Sequence, residues 1–282
     1  MRDYPALTLT WTRPVDAERA DLLLAELDGF DVTAVEELPE HGARVFFTTP
    51  EARDRAVVHL RTIPDIAITA AEVSDDDWGA RSQASIGAVK VGALTIAPPW
   101  AVTPDMRAHP DRLITIVPST GFGTAHHAST RLCLEQLQSL NVGSLRVLDV
   151  GTGSGVLAIA AARLGAKTVA AIDVDPDALA NARENVALND AGDVVTLHEL
   201  TLAAAASLGR PFNLILANLT GGHLIREAAH LAPLAAPGAR LVVSGFQTDE
   251  SDDVVRALDD VRWTLESAAA EDTWVAALLL RR

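Results

Sequence analysis

Over residues 1–73 the apolar positions switch repeatedly between a period of two and a helical period. The stretch "ALTLTW" (6–11) alternates, as a strand with one buried face does. "DAERADLLLAELDGF" (16–30) then puts Leu22, Leu23 and Leu27 on one helical face. "DVTAVEEL" (31–38) and "ARVFFTT" (43–49) alternate again, with "PEHG" as the turn between them. "PEARDRAVVHLRTI" (50–63) is a second amphipathic helix, opened by Pro50 in its first turn, and "DIAITAAEV" (65–73) closes the set. The order βαββαβ predicts a small α+β, ferredoxin-like domain over residues 1–75.

Residues 76–118 carry Pro98, Pro99, Pro104, Pro110 and Pro118. Prolines at that density exclude a long helix and predict a linker packed along the next domain. Over 119–282, strands and helices alternate. "STRLCLEQLQSL" (129–140) is helical, with Leu132, Leu134 and Leu137 as core. "LRVLDV" (145–150) is a buried strand, and "GVLAIAAARLGA" (155–166) a helix ending at Gly165. "TVAAIDV" (168–174) is a strand, and "DPDALANARENVALN" (175–189) a helix with Pro176 near its start. "DVVTLHE" (193–199), "FNLILAN" (212–218) and "ARLVVSGF" (239–246) are further apolar strands. Their apolarity is continuous rather than alternating, which predicts a parallel sheet covered on both faces. The tail, 261–282, reads as two antiparallel strands. The fold expected is a doubly wound α/β sheet preceded by the smaller domain.

Composition narrows the functional classes. The chain has 282 residues, 49% of them hydrophobic, enough for about two cores. No apolar run approaches the ~20 residues of a membrane span, and "MRDYPALTLT" has no signal-peptide core. A soluble, cytoplasmic monomer is expected. Cys133 is the only cysteine, so disulfides and thiolate metal sites are not expected. Of the net charge of −15, residues 1–78 hold −10, with 7 Lys+Arg against 17 Asp+Glu. Such a surface repels a nucleic-acid backbone and suits a basic partner, unless it is ordinary solubilising charge. Lys90 and Lys167 are the two lysines, against 21 arginines, a bias that looks like genome composition.

The chemistry begins at "LDVGTGSGVLAIA" (148–160), a glycine turn between a strand and a helix. In a doubly wound sheet the ligand sits there, beyond the carboxyl ends of the strands. Gly151, Gly153 and Gly155 are spaced G-x-G-x-G, which matches neither the dinucleotide loop nor the Walker loop. The turn has no lysine for a phosphate. Asp149 opposes a pyrophosphate but suits a ligand carrying an ammonium group and a sulfonium. Asp173 follows 22 residues after Gly151, at a strand end where a carboxylate takes both hydroxyls of an unphosphorylated ribose. The ligand that fits is S-adenosylmethionine.

At these residues the sequence resembles the class I methyltransferases, and more narrowly the PrmA-type family acting on the large-subunit ribosomal protein L11. The resemblance rests on "DVGTGSGVLAIAAARLGA", "AIDVDPDAL", "ILANL" (215–219) and "FGTAHHASTRLCLEQL" (122–137). The joining segment contributes "DW" (77–78) and "GALTIAPPW" (92–100). Ala125 stands where the family has a second glycine, and Ser129 where it has the first of two threonines. The resemblance implies cofactor contacts at Thr130, Gly151, Asp173 and Asn218, with Thr130 lying 21 residues before Gly151. It implies a protein-lysine or α-amine N-methyltransferase, with Asn218 orienting the amine and the acidic N-terminal domain holding a basic ribosomal protein. A small-molecule N- or O-methyltransferase and a non-catalytic cofactor-binding module are the alternatives. His126 and His127 are adjacent, without a carboxylate cluster, so no metal site is expected. His127 aligns with a family histidine; Phe122 either lines the methyl channel or is core. Glu199 is a weaker candidate near the adenine, and Trp78 and Trp100 are expected to pack the linker.

Overall fold

The computed structural model describes residues 3–11, 27, 30–38, 42–61, 63, 66–74, 86–118, 125–209 and 211–282. The chain divides into two compact units, residues 1–85 and 86–282. In the first, β1 (Asp3–Trp11), β2 (Val32–Leu38), β3 (Gly42–Phe47) and β4 (Ile66–Ser74) form a sheet ordered β2-β3-β1-β4, every pair antiparallel. Helix α1 (Pro50–Leu60) starts where expected: Thr49 accepts the Ala52 N–H at 3.2 Å, and Pro50 occupies a position needing no donor. Strand alternation delivers Leu7, Leu9, Val45 and Phe47 to Ala52, Ala56 and Leu60 of that helix. The strand order is the ferredoxin-like one. The helix expected at 16–30 lies largely outside the described residues, although Leu27 is described and buried. The turn residues 39–41, Trp78 and Phe122 also lie outside them.

The described part of the expected linker packs into the second unit and has short elements of its own. From residue 86 onward it belongs to the second unit, as β5 (Val89–Val91), β6 (Leu94–Ala97), the short helix α2 (Pro104–Arg107) and β7 (Leu113–Thr115). Its prolines punctuate rather than prevent structure: Pro104 opens α2, and Pro99 opens a 3-10 turn. On either side of these turns, Val91, Leu94, Ile96, Ile114 and Ile116 enter the second unit's core. Trp100 is half exposed, its indole N–H donating to the Ile86 carbonyl at 3.2 Å.

The remaining elements are α3 (Ala128–Gln138), β8 (Arg146–Val150), α4 (Val156–Arg163), β9 (Thr168–Asp173), α5 (Pro176–Leu188), β10 (Val195–Glu199), β11 (Phe212–Asn218), α6 (Gly221–Leu234), β12 (Ala235–Gln247), α7 (Ser251–Asp259), β13 (Trp263–Glu271) and β14 (Trp274–Arg281). The sheet runs β10-β9-β8-β11-β12-β14-β13, parallel except at β14, which is antiparallel to both neighbours. Continuous apolarity has the predicted cause. Along β11, Leu214 and Leu216 enter one core while Ile215 and Ala217 enter the other, across the sheet. Leu132, Cys133, Leu134 and Leu137 of α3 are buried, and burial pushes the Cys133 thiol far up from its ordinary value. Helix α4 ends on Gly165 at φ 89°, with Ala166 N–H reaching Ala161 O and Gly165 N–H reaching Ala162 O, each at 3.0 Å. The chain runs outward from β8 to β10 and then returns beside β8 as β11, so a crevice opens between β8 and β11. Among the described residues no helix is long and apolar enough to cross a membrane.

Candidate active site

The glycine turn joins β8 to α4 at the carboxyl edge of the sheet. Gly151, Gly153 and Gly155 have φ of 66°, 53° and 83°, a region where a β-carbon crowds the following carbonyl. The N–H groups of Gly151 and Thr152 donate to the Ile172 carbonyl at 2.9 and 3.0 Å, stapling the turn to β9. Asp149 is only 1% exposed, and its Oδ2 accepts from the Thr152 hydroxyl at 2.6 Å and the Ala158 N–H at 3.1 Å. Burial pushes its carboxyl up to about 6, against the pull of those two hydrogen bonds. The structure thus places Asp149, expected at the ligand, inside the turn with its carboxylate bonded to the loop itself. The side chain is enclosed because the turn and the first turn of α4 close over it, leaving it to fix the loop and supply negative charge beneath it.

Asp173, at the end of β9, reaches across to the same turn. Its Oδ2 accepts the Gly153 N–H at 2.9 Å, while Oδ1 accepts those of Val174 and Asp175 at 2.8 and 3.1 Å. A cavity of about 290 Å³ opens beside it, bounded by Gly151, Asp173, Thr201, Leu219, His223 and Glu227 among others. None of its lining residues is Lys or Arg. Glu199 pairs with Asp173 in the strand register but does not line the cavity; Leu200, Thr201 and Leu202 beyond it do. His223 and Glu227 escaped the sequence reading. Their signal was spacing: four residues apart on the helix that follows Asn218, they share one face.

Asn218 ends β11, across the crevice from β8. Its Nδ2 donates to Thr130 Oγ1 at 3.2 Å, joining two predicted residues from α3 and β11. Thr130 is 1% exposed, so its hydroxyl meets Asn218 rather than open space. That bond orients the Asn218 amide, leaving Oδ1 as an acceptor over Gly245. Gly245 makes the approach possible: at φ 91°, a β-carbon there would stand 2.5 Å from the Leu219 carbonyl oxygen and 2.9 Å from Asn218 Oδ1. The β12–β14 register shifts at this residue, between Ser244 and Phe246, so it is the free position of a bulge.

Two further devices brace the site. Asn181, Asn185 and Asn189 recur every fourth residue of α5 and its cap, forming a ladder against the backbone at 115–117. Asn189 Oδ1 accepts the Thr115 N–H and Asn185 Oδ1 the Val117 N–H, each at 2.8 Å, while Asn185 Nδ2 donates to the Ser154 carbonyl of the glycine turn at 2.8 Å. These side chains act as a strand's edge would, and periodicity that counts only apolar residues passes over them. At the start of α3, His127 is the N-cap: its Nδ1 accepts the Ser129 N–H at 3.3 Å, and its ring meets Trp274 edge-on at 4.3 Å. Burial, with the nearby Arg131 charge, lowers its pKa from the ordinary histidine value. His126 is exposed, and among the described residues no cluster of three or more His, Cys, Asp or Glu is placed for a metal ion.

A larger cleft, about 680 Å³, lies toward the opposite ends of the strands, lined by Arg146, Lys167 and Asn213 among others. Size does not select it, because the glycine turn, Asp173 and Asn218 all converge at the carboxyl ends.

A family model described as ribosomal protein L11 methyltransferase (PrmA) matches residues 24–282. A protein of Geobacter metallireducens named ribosomal protein L11 methyltransferase is 34% identical over 265 residues, covering 90% of this chain and 86% of its own. One of that name from Geobacillus kaustophilus is 34% identical over 215 residues, covering 76% and 68%. The crystal structure of a ribosomal protein L11 methylase from Lactobacillus delbrueckii subsp. bulgaricus aligns at a TM-score of 0.63 with 28% identity. It covers 70% of this chain and all of that one.

Proposed function

Because the chain belongs to the ribosomal protein L11 methyltransferase (PrmA) family, we propose that it methylates lysine or α-amino groups of ribosomal protein L11 in the cytoplasm, with S-adenosylmethionine as donor. The observation that carries the reading is the cavity at Asp173. It offers a carboxylate beside a glycine cradle and neither lysine nor arginine, which suits a ribose diol and a cationic donor and gives a diphosphate no fixed counter-charge. Asp173 would hold the ribose, the Gly151–Gly153 backbone the methionine part, and Val174, Leu200, Thr201 and Leu202 the adenine. When bound, the donor supplies a methyl group on a positively charged sulfur, a good leaving group, so positioning and desolvation are the tasks left to the protein.

Asn218 performs the positioning. A lysine ammonium, with pKa about 10.4, must lose a proton before its lone pair can attack. A dry crevice lowers that pKa by disfavouring the charged form. Asn218 Oδ1 and the neighbouring Leu219 carbonyl would accept the remaining amine hydrogens and aim the lone pair toward the cavity. Thr130 acts through Asn218, by fixing which way its amide faces.

The first unit would dock the substrate. Its share of the negative charge suits a basic ribosomal protein without nucleic-acid contact. Raised salt should then increase KM for ribosomal protein L11 severalfold while leaving affinity for the donor little changed. The decisive assay is mass spectrometry of ribosomal protein L11 after incubation with enzyme and S-adenosylmethionine. Methylated lysine or N-terminal peptides are expected; donor binding without methylation would favour a small-molecule acceptor or a non-catalytic module.

A further inference from the structure

Arg131 sits next to Thr130 and turns its guanidinium back over the loop that leads into α3. Its Nη1 donates to the carbonyls of Ala125, at 3.3 Å, and of His126. On its other side Nε donates to both oxygens of Glu271 at 3.1 Å, and Nη2 donates to Oε1. Glu271 is the last residue of β13, and Trp274, which meets the His127 ring, is the first of β14. The tip of the C-terminal hairpin thus holds the loop 125–127 at two points. The loop needs holding: Ala125 is fully buried with φ 61°, a conformation that costs a non-glycine residue about 1–2 kcal/mol.

We propose that Arg131 and Glu271 are positioning residues for methyl transfer, clamping loop 125–127 so that the first turn of α3 presents Thr130 to Asn218. The proposal rests on the methyltransferase reading above. A bidentate Arg–carboxylate pair fixes orientation as well as distance, which a lysine in the same place does not. Both side chains are substantially exposed, 24% and 37%, so solvent screens the pair and its value to global stability is small. Its effect falls on geometry instead, where a displacement of an ångström at a reacting centre lowers the rate by orders of magnitude.

The test uses full-length Glu271→Gln and Arg131→Lys, assayed with ribosomal protein L11 and S-adenosylmethionine. Each is expected to lower kcat about tenfold or more, with KM for the donor within about twofold and the thermal midpoint nearly unchanged. Amide exchange should rise in residues 125–131 and stay constant in 148–158. Wild-type kcat in Glu271→Gln overturns the proposal, whether or not exchange rises. Full activity in Arg131→Lys overturns the bidentate geometry. A joint loss of kcat, thermal midpoint and protection throughout the chain assigns the pair a structural role only. If the wild-type enzyme leaves ribosomal protein L11 unmethylated, the functional reading fails first. Exchange at 125–131 then reports separately whether the clamp holds the loop.

Discussion

On the β9 side of the crevice, Asp173 meets three backbone N–H groups, from Gly153, Val174 and Asp175, all within two residues of itself or on the adjoining turn. On the β11 side, Asn218 meets one side-chain hydroxyl, Thr130, which lies 88 residues earlier in the chain. The first half is built from main chain whose shape three left-handed glycines dictate. The second is assembled from side-chain pairs contributed by α3, β11 and the C-terminal hairpin. Main-chain geometry tolerates few substitutions and carries a compact signature, whereas side-chain pairs are dispersed and adjustable. On the proposed function the β9 side would bind the donor and be the rigid half, and the β11 side would bind the acceptor and be the half where geometry can be tuned.

The largest expected break is at Gly245, where the β11 side depends most directly on main chain. Gly245→Ala meets left-handed strain and a backbone oxygen at 2.5 Å, so it should lose more than about 3 kcal/mol in urea denaturation. Asp173→Ala should weaken S-adenosylmethionine binding about a hundredfold by calorimetry, since hydrogen bonds to a charged group are each worth about 1.5–3 kcal/mol. Asn218→Ala should do the reverse, lowering kcat some ten- to hundredfold while donor affinity stays within about threefold. Equal effects of these two variants on donor affinity would erase the division between the halves.

Asp149 gives a pH test of the donor half. Its folded carboxyl titrates near 6, above the ordinary value of 3.8, so the folded state takes up a proton before the unfolded chain does. Acidification through this window stabilises the fold through this group and removes the negative charge below the turn. Affinity for the cationic donor should then fall up to about tenfold as pH drops through 6, and Asp149→Asn should flatten that dependence. The smallest effect is expected at Ala125→Gly. Relief of about 1–2 kcal/mol of strain is offset by about 0.8 for the lost methyl and about 0.4–1 for the freer unfolded chain. The stability change should stay within about 1 kcal/mol of zero.

Much of the fold was legible because its signals are local. Period-two alternation marked β1 to β4, continuous apolarity marked the parallel strands, and Pro50, Gly165 and Pro176 marked helix ends within a residue or two. The proline count at 86–118 said where helices stop, but not that the intervening residues form strands buried in the second unit's core. Ile96 and Ile114 decided that segment's place. In the site, Gly151, Gly153, Gly155 and Asp173 were readable from spacing, and the resemblance supplied Thr130 and Asn218. Glu227 and the asparagine ladder carried a spacing of four that an apolar count passes over. Gly245 and the Arg131–Glu271 pair carried no local signal, since each matters only through a residue distant in sequence.

The sequence by itself determined the two-unit order, the sheet's buried strands and a ligand turn unsuited to phosphate. Those follow from local steric preference, apolar period and the sign of charge within a few residues. Only the tertiary structure decided that Asp149 is enclosed, that Thr130 faces Asn218, and that the C-terminal hairpin braces the loop before α3. Those outcomes depend on which strands become neighbours across the sheet. Neighbours far apart in the chain meet through packing, and packing has no period to read.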